Sequence, residues 1–333
     1  MIVTHADDFR FAAPPAGIEQ LQEEISSLMK IKWTNELGKE WSRYLGSWWR
    51  RPSTTIMDVR PDDKHIQAVL QLLQLDGPQV KGSRTPQWSP QAEREVPVPL
   101  TVEQTRQYRT AVGCLQWIAI VRPDLQFTAK ELARSLSSST SMDWNRLKKA
   151  GRYLVATRHL YLQLECHPDQ PLEVEACADA SWAVDETRRS TTGVALYLQG
   201  VLLYSASKTQ ATVAKSSAEA ELLAANSAAS EALCLQSVMN DFWHEVVPVR
   251  LHTDSTACEV ALEQKGLGKM KHLEVKHLWL QEVLRTRSIS IHHVPTADNK
   301  ADILTSHRHP ARTEQVRPWL GLRTDEQEPK GLN

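Results

Sequence analysis

The chain has 333 residues, 41% of them hydrophobic and 24% charged, with a formal net charge of -1. That length allows two or three domains with cores of their own, and the near-zero charge excludes a globally basic nucleic-acid binder, so any such contact must use local patches. No apolar run approaches the roughly 20 residues of a membrane span, and no charged segment precedes an apolar one at the start, so neither membrane insertion nor secretion is expected.

In chain order, Thr4-His5-Ala6-Asp7-Asp8 sets paired acids almost at the first residue, and Trp33, Trp41, Trp48 and Trp49 make the stretch up to about Arg60 dense enough to pack. Residues 77–99 turn to Pro, Gly, Ser and Gln, the composition of an extended linker or strap. Ala111, Leu115 and Ile118 recur at helical spacing within Val102 to Val121; Pro123 interrupts, a helix resumes from Leu125 to Leu136, and a third runs from Asp143 to Ala156 with Arg146, Lys148, Lys149 and Arg152 along it. Residues 101–170 carry 10 Lys+Arg against 6 Asp+Glu, whereas 171–310 carry 13 against 17, so a positive segment precedes an acidic one.

After Pro171 the period changes to two: Leu172, Val174, Ala176 and Ala178 alternate with polar residues, as do Val194, Leu196 and Leu198, and Gln199-Gly200 turns into Val201 to Ser207. Three adjacent antiparallel strands follow from this pattern. Next come a helix from Ser216 to about Met239, a strand from Val247 to Thr253, a helix from Ser255, a helix over His272 to Arg285, a strand from Ile289 to Val294 and a last helix opening near Asn299. This is an α/β arrangement, a mixed sheet with helices on its faces. The tail from Gln315 reads as disordered. The five cysteines, Cys114, Cys166, Cys177, Cys234 and Cys258, show no CxxC spacing and read as reduced thiols of an intracellular protein.

Four carboxylates, Asp179, Glu221, Asp254 and Asp302, stand where strand-like or helix-like sequence begins or ends. Each alone has a structural explanation: Asp254-Ser255 suits a helix N-cap, Asn299 and Asp302 suit a helix start, and Asp179 is an ordinary strand-end acid. Two glutamates compete on one helix. Ser216-x-x-Glu219 forms a capping box and gives Glu219 a local task, whereas Glu221 heads the stripe Ala225, Ala228, Ala232, Leu235 and Met239, a buried face on which a carboxylate is costly unless a metal compensates. The helix pattern therefore favours Glu221. His292 and His293 read as strand-surface residues near the acids, and His272 with His277 lacks the further ligands of a zinc set.

Six motifs occur in an order that resembles the C-terminal part of the Pol polyprotein of copia-type long-terminal-repeat retrotransposons. They are Ala178-Asp179-Ala180-Ser181-Trp182-Ala183, Arg188-Arg189-Ser190-Thr191-Thr192-Gly193, Ser216-Ser217-Ala218-Glu219-Ala220-Glu221, His252-Thr253-Asp254-Ser255, Lys271-His272-Leu273-Glu274-Val275, and Val294-Pro295-Thr296 through Ala301-Asp302-Ile303-Leu304-Thr305. Upstream, Tyr108-Arg109 to Gly113-Cys114-Leu115 and Arg122-Pro123-Asp124 are similar to that family's connection, and Ala6-Asp7-Asp8 with Arg43-Tyr44-Leu45-Gly46 to the end of its reverse-transcriptase palm. The resemblance implies a palm and thumb remnant over 1–76, a linker over 77–100, a helical connection over 101–170, a ribonuclease H-like mixed five-stranded sheet flanked by helices over 171–310, and a disordered tail over 311–333.

The same resemblance implies an RNA-DNA hybrid endonuclease using two Mg²⁺ or Mn²⁺ ions held by Asp179, Glu221, Asp254 and Asp302. Hard divalent ions call for such carboxylate oxygens converging from separate elements. Arg188, Arg189, Lys208, Lys269 and Lys271 are the candidates for contact with the hybrid backbone, with Trp182 beside them. Asp7 and Asp8 then read as polymerase relics, inactive without an upstream palm strand. The implied partners are the hybrid and a full-length retroelement polymerase, and the implied location is intracellular, within cytoplasmic virus-like particles, with a nuclear step open. The alternative is a catalytically silent remnant that binds nucleic acid or pairs with such a polymerase.

Overall fold

The computed structural model describes residues 2–5, 8–34, 36–88, 96–183, 187–264, 279–286 and 289–324. Two compact units divide it, residues 1–38 and 39–333. In the first, β1 (Ile2–His5) and β2 (Asp8–Phe11) form an antiparallel hairpin with His5 opposite Asp8, followed by α1 (Pro15–Leu28) with Pro15 at its start. Asp8 thus opens β2, while Asp7 lies outside the described residues.

The second unit opens with β3 (Ser42–Tyr44), β4 (Ser47–Arg50) and β5 (Ile56–Pro61), then α2 (Asp63–Leu72). Three further helices, α3 (Val102–Ala119), α4 (Gln126–Ala133) and α5 (Ser141–Thr157), pack with α2 around Val69, Leu115, Ile118, Leu147 and Leu154. Capping boxes, Thr101 with Gln104 and Thr140 with Asp143, fix where α3 and α5 begin. Pro123 ends the first of these helical runs, as its missing N–H requires, and opens a 3-10 turn over Pro123–Leu125. Beside it Arg122 is fully buried, its guanidinium bonded twice to Asp124 and also to the Thr157 carbonyl, while the Tyr153 hydroxyl donates to Asp124. The motif Arg122-Pro123-Asp124 is therefore a structural clasp between α3 and α5. The strand β6 (Tyr161–Glu165) then pairs antiparallel with β5.

The candidate module is built on β7 (Val174–Ser181), β8 (Thr191–Leu198), β9 (Val201–Thr209), α6 (Ser217–Trp243), β10 (Val249–Thr253), α7 (Thr256–Glu263), α8 (Trp279–Thr286) and β11 (Ile289–His293). Its sheet has the order β11-β10-β7-β8-β9, with β7, β8 and β9 antiparallel in sequence and β10 and β11 parallel to β7. In the module's own count the order is 3-2-1-4-5, the mixed five-stranded sheet expected from the resemblance. Gln199 and Gly200, with φ of 49° and 79°, make the tight β8-β9 turn. Alternation along β7 sends Val174, Ala176 and Ala178 into a core with the α6 residues Ala225, Ala228 and Ala232, and leaves Glu175, Cys177 and Asp179 for the other face.

Two expectations differ from the structure. No helix opens at Asn299: two 3-10 turns, Thr296–Asp298 and Asp302–Leu304, carry that stretch, because the Asn299 side chain reaches across to the Ala178 carbonyl and draws the backbone into an extended conformation. The tail is not disordered through Arg323 either. A helix, α9 (Pro310–Val316), and a short strand, β12 (Leu322–Arg323), follow, with Val316, Leu320 and Leu322 buried in the core on the second face of the sheet. Strand β12 pairs with β6 and completes a second sheet of order β12-β6-β5-β4-β3. Those three apolar residues are too far apart to raise the local hydrophobicity, yet each finds a preformed apolar surface. Residues 77–88 lie as a strap, with Ser83, Thr85 and Gln87 buried and the Ser83 amide bonded to the Arg152 carbonyl. Residues 325–333 and the first part of the expected His272 to Arg285 helix lie outside the described residues.

Candidate metal centre

Asp179 and Asp254 reach the same end of the sheet by simple register. The parallel strands β7 and β10 pair His252 with Cys177, and each acid lies two residues further on. Glu221 arrives from the first turns of α6, whose start is set by the Ser216 hydroxyl accepting the Glu219 amide. Carboxylate oxygens of Asp179, Glu221 and Asp254 all lie within 4.8 Å of one another. Among the described residues none of the three forms an ion pair, and Oε2 of Glu221 is buried without a hydrogen-bond partner. Three acids so placed, with an orphaned buried oxygen, fit a divalent cation bound through hard oxygen donors.

Electrostatics record the crowding. Burial, together with the charges of Asp179 and Asp254, pushes the Glu221 carboxyl up to about 9, against a hydrogen bond from the Ala180 amide that works the other way. Burial likewise raises Asp179 to about 6, opposed by the Thr305 hydroxyl that donates to its carboxylate and reinforced by Asp254 and Asp302. Asp302 is raised by burial even though Arg308 and Arg312 lie against it. Near neutral pH Glu221 therefore retains a proton that an arriving cation would displace.

The fourth acid is held differently. Asp302 sits in the second 3-10 turn, deeply buried, and its carboxylate pairs with Arg308 and lies 3.5 Å from Arg312 Nε. Its charge reaches Asp179, but it stands outside the converged three. Gly193, opposite Asp179 on β8, lets this segment close in: a Cβ there would lie 2.8 Å from the Ala301 carbonyl oxygen and 2.7 Å from Thr305 Cγ2. The Asn299 amide ties the segment to the site, donating to the Ala178 carbonyl at 3.0 Å and to Asp254 Oδ1 at 3.3 Å. Sequence reasoning missed Arg308, Arg312 and the Thr305 bond; the basic run from His307 to Arg312 directly after the acid was the available signal.

The other candidates divide. Glu219 accepts the Lys215 amide at 2.8 Å, a local role at the helix start although directed to the residue before the Ser216 N-cap and not to the N-cap amide of a capping box, and it is buried. Arg188 and Arg189 are exposed just before β8, Arg188 with a left-handed φ of 54°. Lys208 pairs with Glu231 at 3.0 Å and with the Tyr204 hydroxyl at 2.9 Å. Lys269, Lys271, His272 and His277 lie outside the described residues. Trp182 is 47% exposed, its indole N–H held by the Ala214 carbonyl. His293 faces Glu259 at 3.9 Å and His292 bonds Ser290, so among the described residues neither ring is hydrogen-bonded to the acids. Lys148, Lys149 and Arg152 of α5 line a cleft of about 870 Å³ with Lys81 and Arg84.

No family model matches the chain. Among curated proteins it is 30% identical over 202 residues to the retrovirus-related Pol polyprotein from transposon RE2 of Arabidopsis thaliana, which covers 60% of this chain and 14% of that one. A second match, 25% identical over 334 aligned positions, is the Pol polyprotein from transposon TNT 1-94 of Nicotiana tabacum, covering 98% of this chain and 24% of the relative. Its homologues are retrovirus-related Pol polyproteins of copia-type transposons. The chain spans about a quarter or less of the length of these Pol polyproteins. A solved N-terminal RNase H domain from Mycobacterium tuberculosis is 15% identical, with 44% of this chain and 97% of that one covered and a TM-score of 0.29. In this chain the sheet module carries an acidic group, Asp179, Glu221 and Asp254, that could hold a metal ion. Among the described residues no helix is long and apolar enough to cross a membrane.

Proposed function

We propose that the module formed by residues 174–305 cleaves the RNA strand of RNA-DNA hybrids by metal-dependent hydrolysis. The observation that supports this best is the convergence of Asp179, Glu221 and Asp254 within 4.8 Å, from two parallel strands and a helix, around a buried oxygen with no partner. Asp302 is the fourth acid of the proposed site once it turns from its arginines. Asp179, Glu221, Asp254 and Asp302 would hold the divalent ions, which would supply activation of a water and stabilisation of the leaving oxygen. Everything else is work for the chain's own groups. The Thr305 hydroxyl fixes the orientation of Asp179, and the Asn299 amide does the same for Asp254. Glu221, which keeps its proton near neutral pH, would give it up on binding the ions. Arg188 and Arg189, exposed on the approach to β8, are placed to meet phosphates, so that backbone shape and 2′-hydroxyls, not base sequence, are read. Asp7 and Asp8 are assigned no chemistry.

One observation favours a second reading, a silent module that binds hybrid without cutting. The pairing of Asp302 with Arg308 and Arg312 withholds one acid from the group. A hybrid with labelled RNA separates the two. Cleavage that requires Mg²⁺ or Mn²⁺, leaves 3′-hydroxyl and 5′-phosphate ends and disappears in Asp254→Asn supports the nuclease. Cleavage unchanged in that variant refutes it, and hybrid binding with no metal-dependent turnover establishes the silent reading.

A further inference from the structure

On the same strands as the acids, a second and chemically different group of donors crosses the sheet. Register places Cys177 of β7 beside His252 of β10, and His252 beside His292 of β11, so a thiol and two imidazoles form one row across three parallel strands. Glu175, two residues before Cys177 on the same face, completes the group. Donor atoms of Glu175, Cys177 and His252 all lie within 4.8 Å of one another. Glu175 Oε1 is 3.6 Å from His252 Nδ1 and 3.8 Å from Cys177 Sγ. A tetrahedral zinc with bonds of about 2.0–2.3 Å separates its donors by roughly 3.3–3.8 Å, so the Glu175–His252 and Glu175–Cys177 separations fall within that range. The His252 and His292 ring centroids are 5.7 Å apart, which leaves His292, on the exposed side, as the fourth donor after a side-chain rotation.

We infer that Glu175, Cys177, His252 and His292 form a transition-metal site for Zn²⁺ or a similar borderline-soft ion, separate from the hard-oxygen group of Asp179, Glu221 and Asp254. The donor set distinguishes the two: thiol and imidazole select zinc-like ions, whereas carboxylates alone select magnesium or manganese. His252 Nε2 is buried with no hydrogen-bond partner, while its Nδ1 lies 3.6 Å from Glu175 Oε1. The opposing feature is Lys300, whose ammonium bonds both Glu175 oxygens at 2.9 and 2.7 Å and sits 4.3 Å from the Tyr197 ring centroid. A metal displaces this cation from Glu175, and the Cys177 thiol gives its proton to solvent as the sulfur-metal bond forms. Bound there, the ion ties β7 to β10 just before both strands deliver their acids.

The test is titration of the full chain with Co²⁺, read by absorption, where a thiolate ligand produces a near-ultraviolet charge-transfer band that carboxylates do not. One equivalent with that band is expected, displaced by Zn²⁺, lost in Cys177→Ser and retained in Glu221→Gln. Lys300→Gln, which removes the competing cation, should tighten Co²⁺ binding on the order of tenfold or more. That arm keeps the inference testable should Cys177→Ser fold poorly. A titration without the thiolate band, a band that survives Cys177→Ser, or binding that Lys300→Gln leaves unchanged overturns the assignment.

Discussion

Replacing Glu221 by Gln tests the electrostatics of the proposed centre without any assay of cleavage. In the folded chain this carboxyl is raised from an ordinary 4.5 to about 9, first by burial and then by Asp179 and Asp254. Because the folded value lies above the unfolded one, the folded chain keeps a proton that the unfolded chain releases. Stability is therefore full below about pH 4.5 and is lost as pH rises towards 9, at a slope of about 1.4 kcal/mol per pH unit. By pH 7 the loss amounts to about 3 kcal/mol. Glutamine has nearly the same shape and no proton to lose, so the variant escapes this slope. Asp179 contributes its own rise in both proteins, with Asp254 and Asp302 and not Glu221 among its causes, so it cancels in the comparison. Urea unfolding in chelator at stepped pH should give equal stabilities at pH 4.5 and a variant about 3 kcal/mol more stable at pH 7. Adding Mg²⁺ should then stabilise the wild type and not the variant. Parallel stability curves, or a variant that is the weaker protein at pH 7, would refute the account of Glu221 as an uncompensated buried acid.

Asp124→Ala leaves the buried Arg122 guanidinium without its bidentate partner and should cost about 3–5 kcal/mol in denaturant unfolding; a loss below about 1 kcal/mol would show that the clasp is not structural. Gly193→Ala forces a methyl against the Ala301 carbonyl and Thr305, so it should destabilise by about 1–3 kcal/mol and abolish metal-dependent cleavage by shifting the Asp302 turn. Gly113→Ala, with nothing within 4 Å on the exposed side of α3, should instead gain up to about 1 kcal/mol, and equal effects at the two glycines would contradict the close approach seen at Gly193. Thr305→Val removes the hydroxyl that favours ionised Asp179, so the Asp179 titration followed by carboxyl NMR should move upward from about 6; no movement, or movement downward, would remove that bond from the description.

The sheet was readable because its faces are chemically unequal. Val174, Ala176 and Ala178 must be covered, and the alanine stripe of α6 is the complementary surface, so period two meeting period 3.6 implied the packing before any contact was known. The converging acids were readable for a related reason, since they lie where parallel strands end and a helix begins. The segment from Asn299 to Arg323 resisted the same treatment. Its conformation is set by distant partners, Asn299 by the Ala178 carbonyl, Thr305 by Asp179, and Val316, Leu320 and Leu322 by a core assembled from elsewhere in the chain. Ala178 and Asp179 lie 121 and 126 residues before Asn299 and Thr305, so local propensity favoured a helix where long-range bonds impose short turns. Arg308 and Arg312 escaped notice for that reason too: their meaning depends on a turn that brings them back onto Asp302.

Glu219 and Glu221 show what separates a structural acid from a functional one. Of the two, Glu219 is the more buried residue, and burial alone would have chosen it. Its carboxylate, however, accepts the Lys215 amide at the start of α6, so its desolvation is offset by a bond that also satisfies an otherwise unpaired donor. Glu221 is less enclosed overall, yet one of its oxygens is buried with no partner and two other carboxylates face it. A chain under selection for stability alone gains from replacing such a group, by the margin that Glu221→Gln measures. Its presence beside Asp179 and Asp254 is therefore better explained by a ligand that compensates all three charges at once than by any contact within the fold.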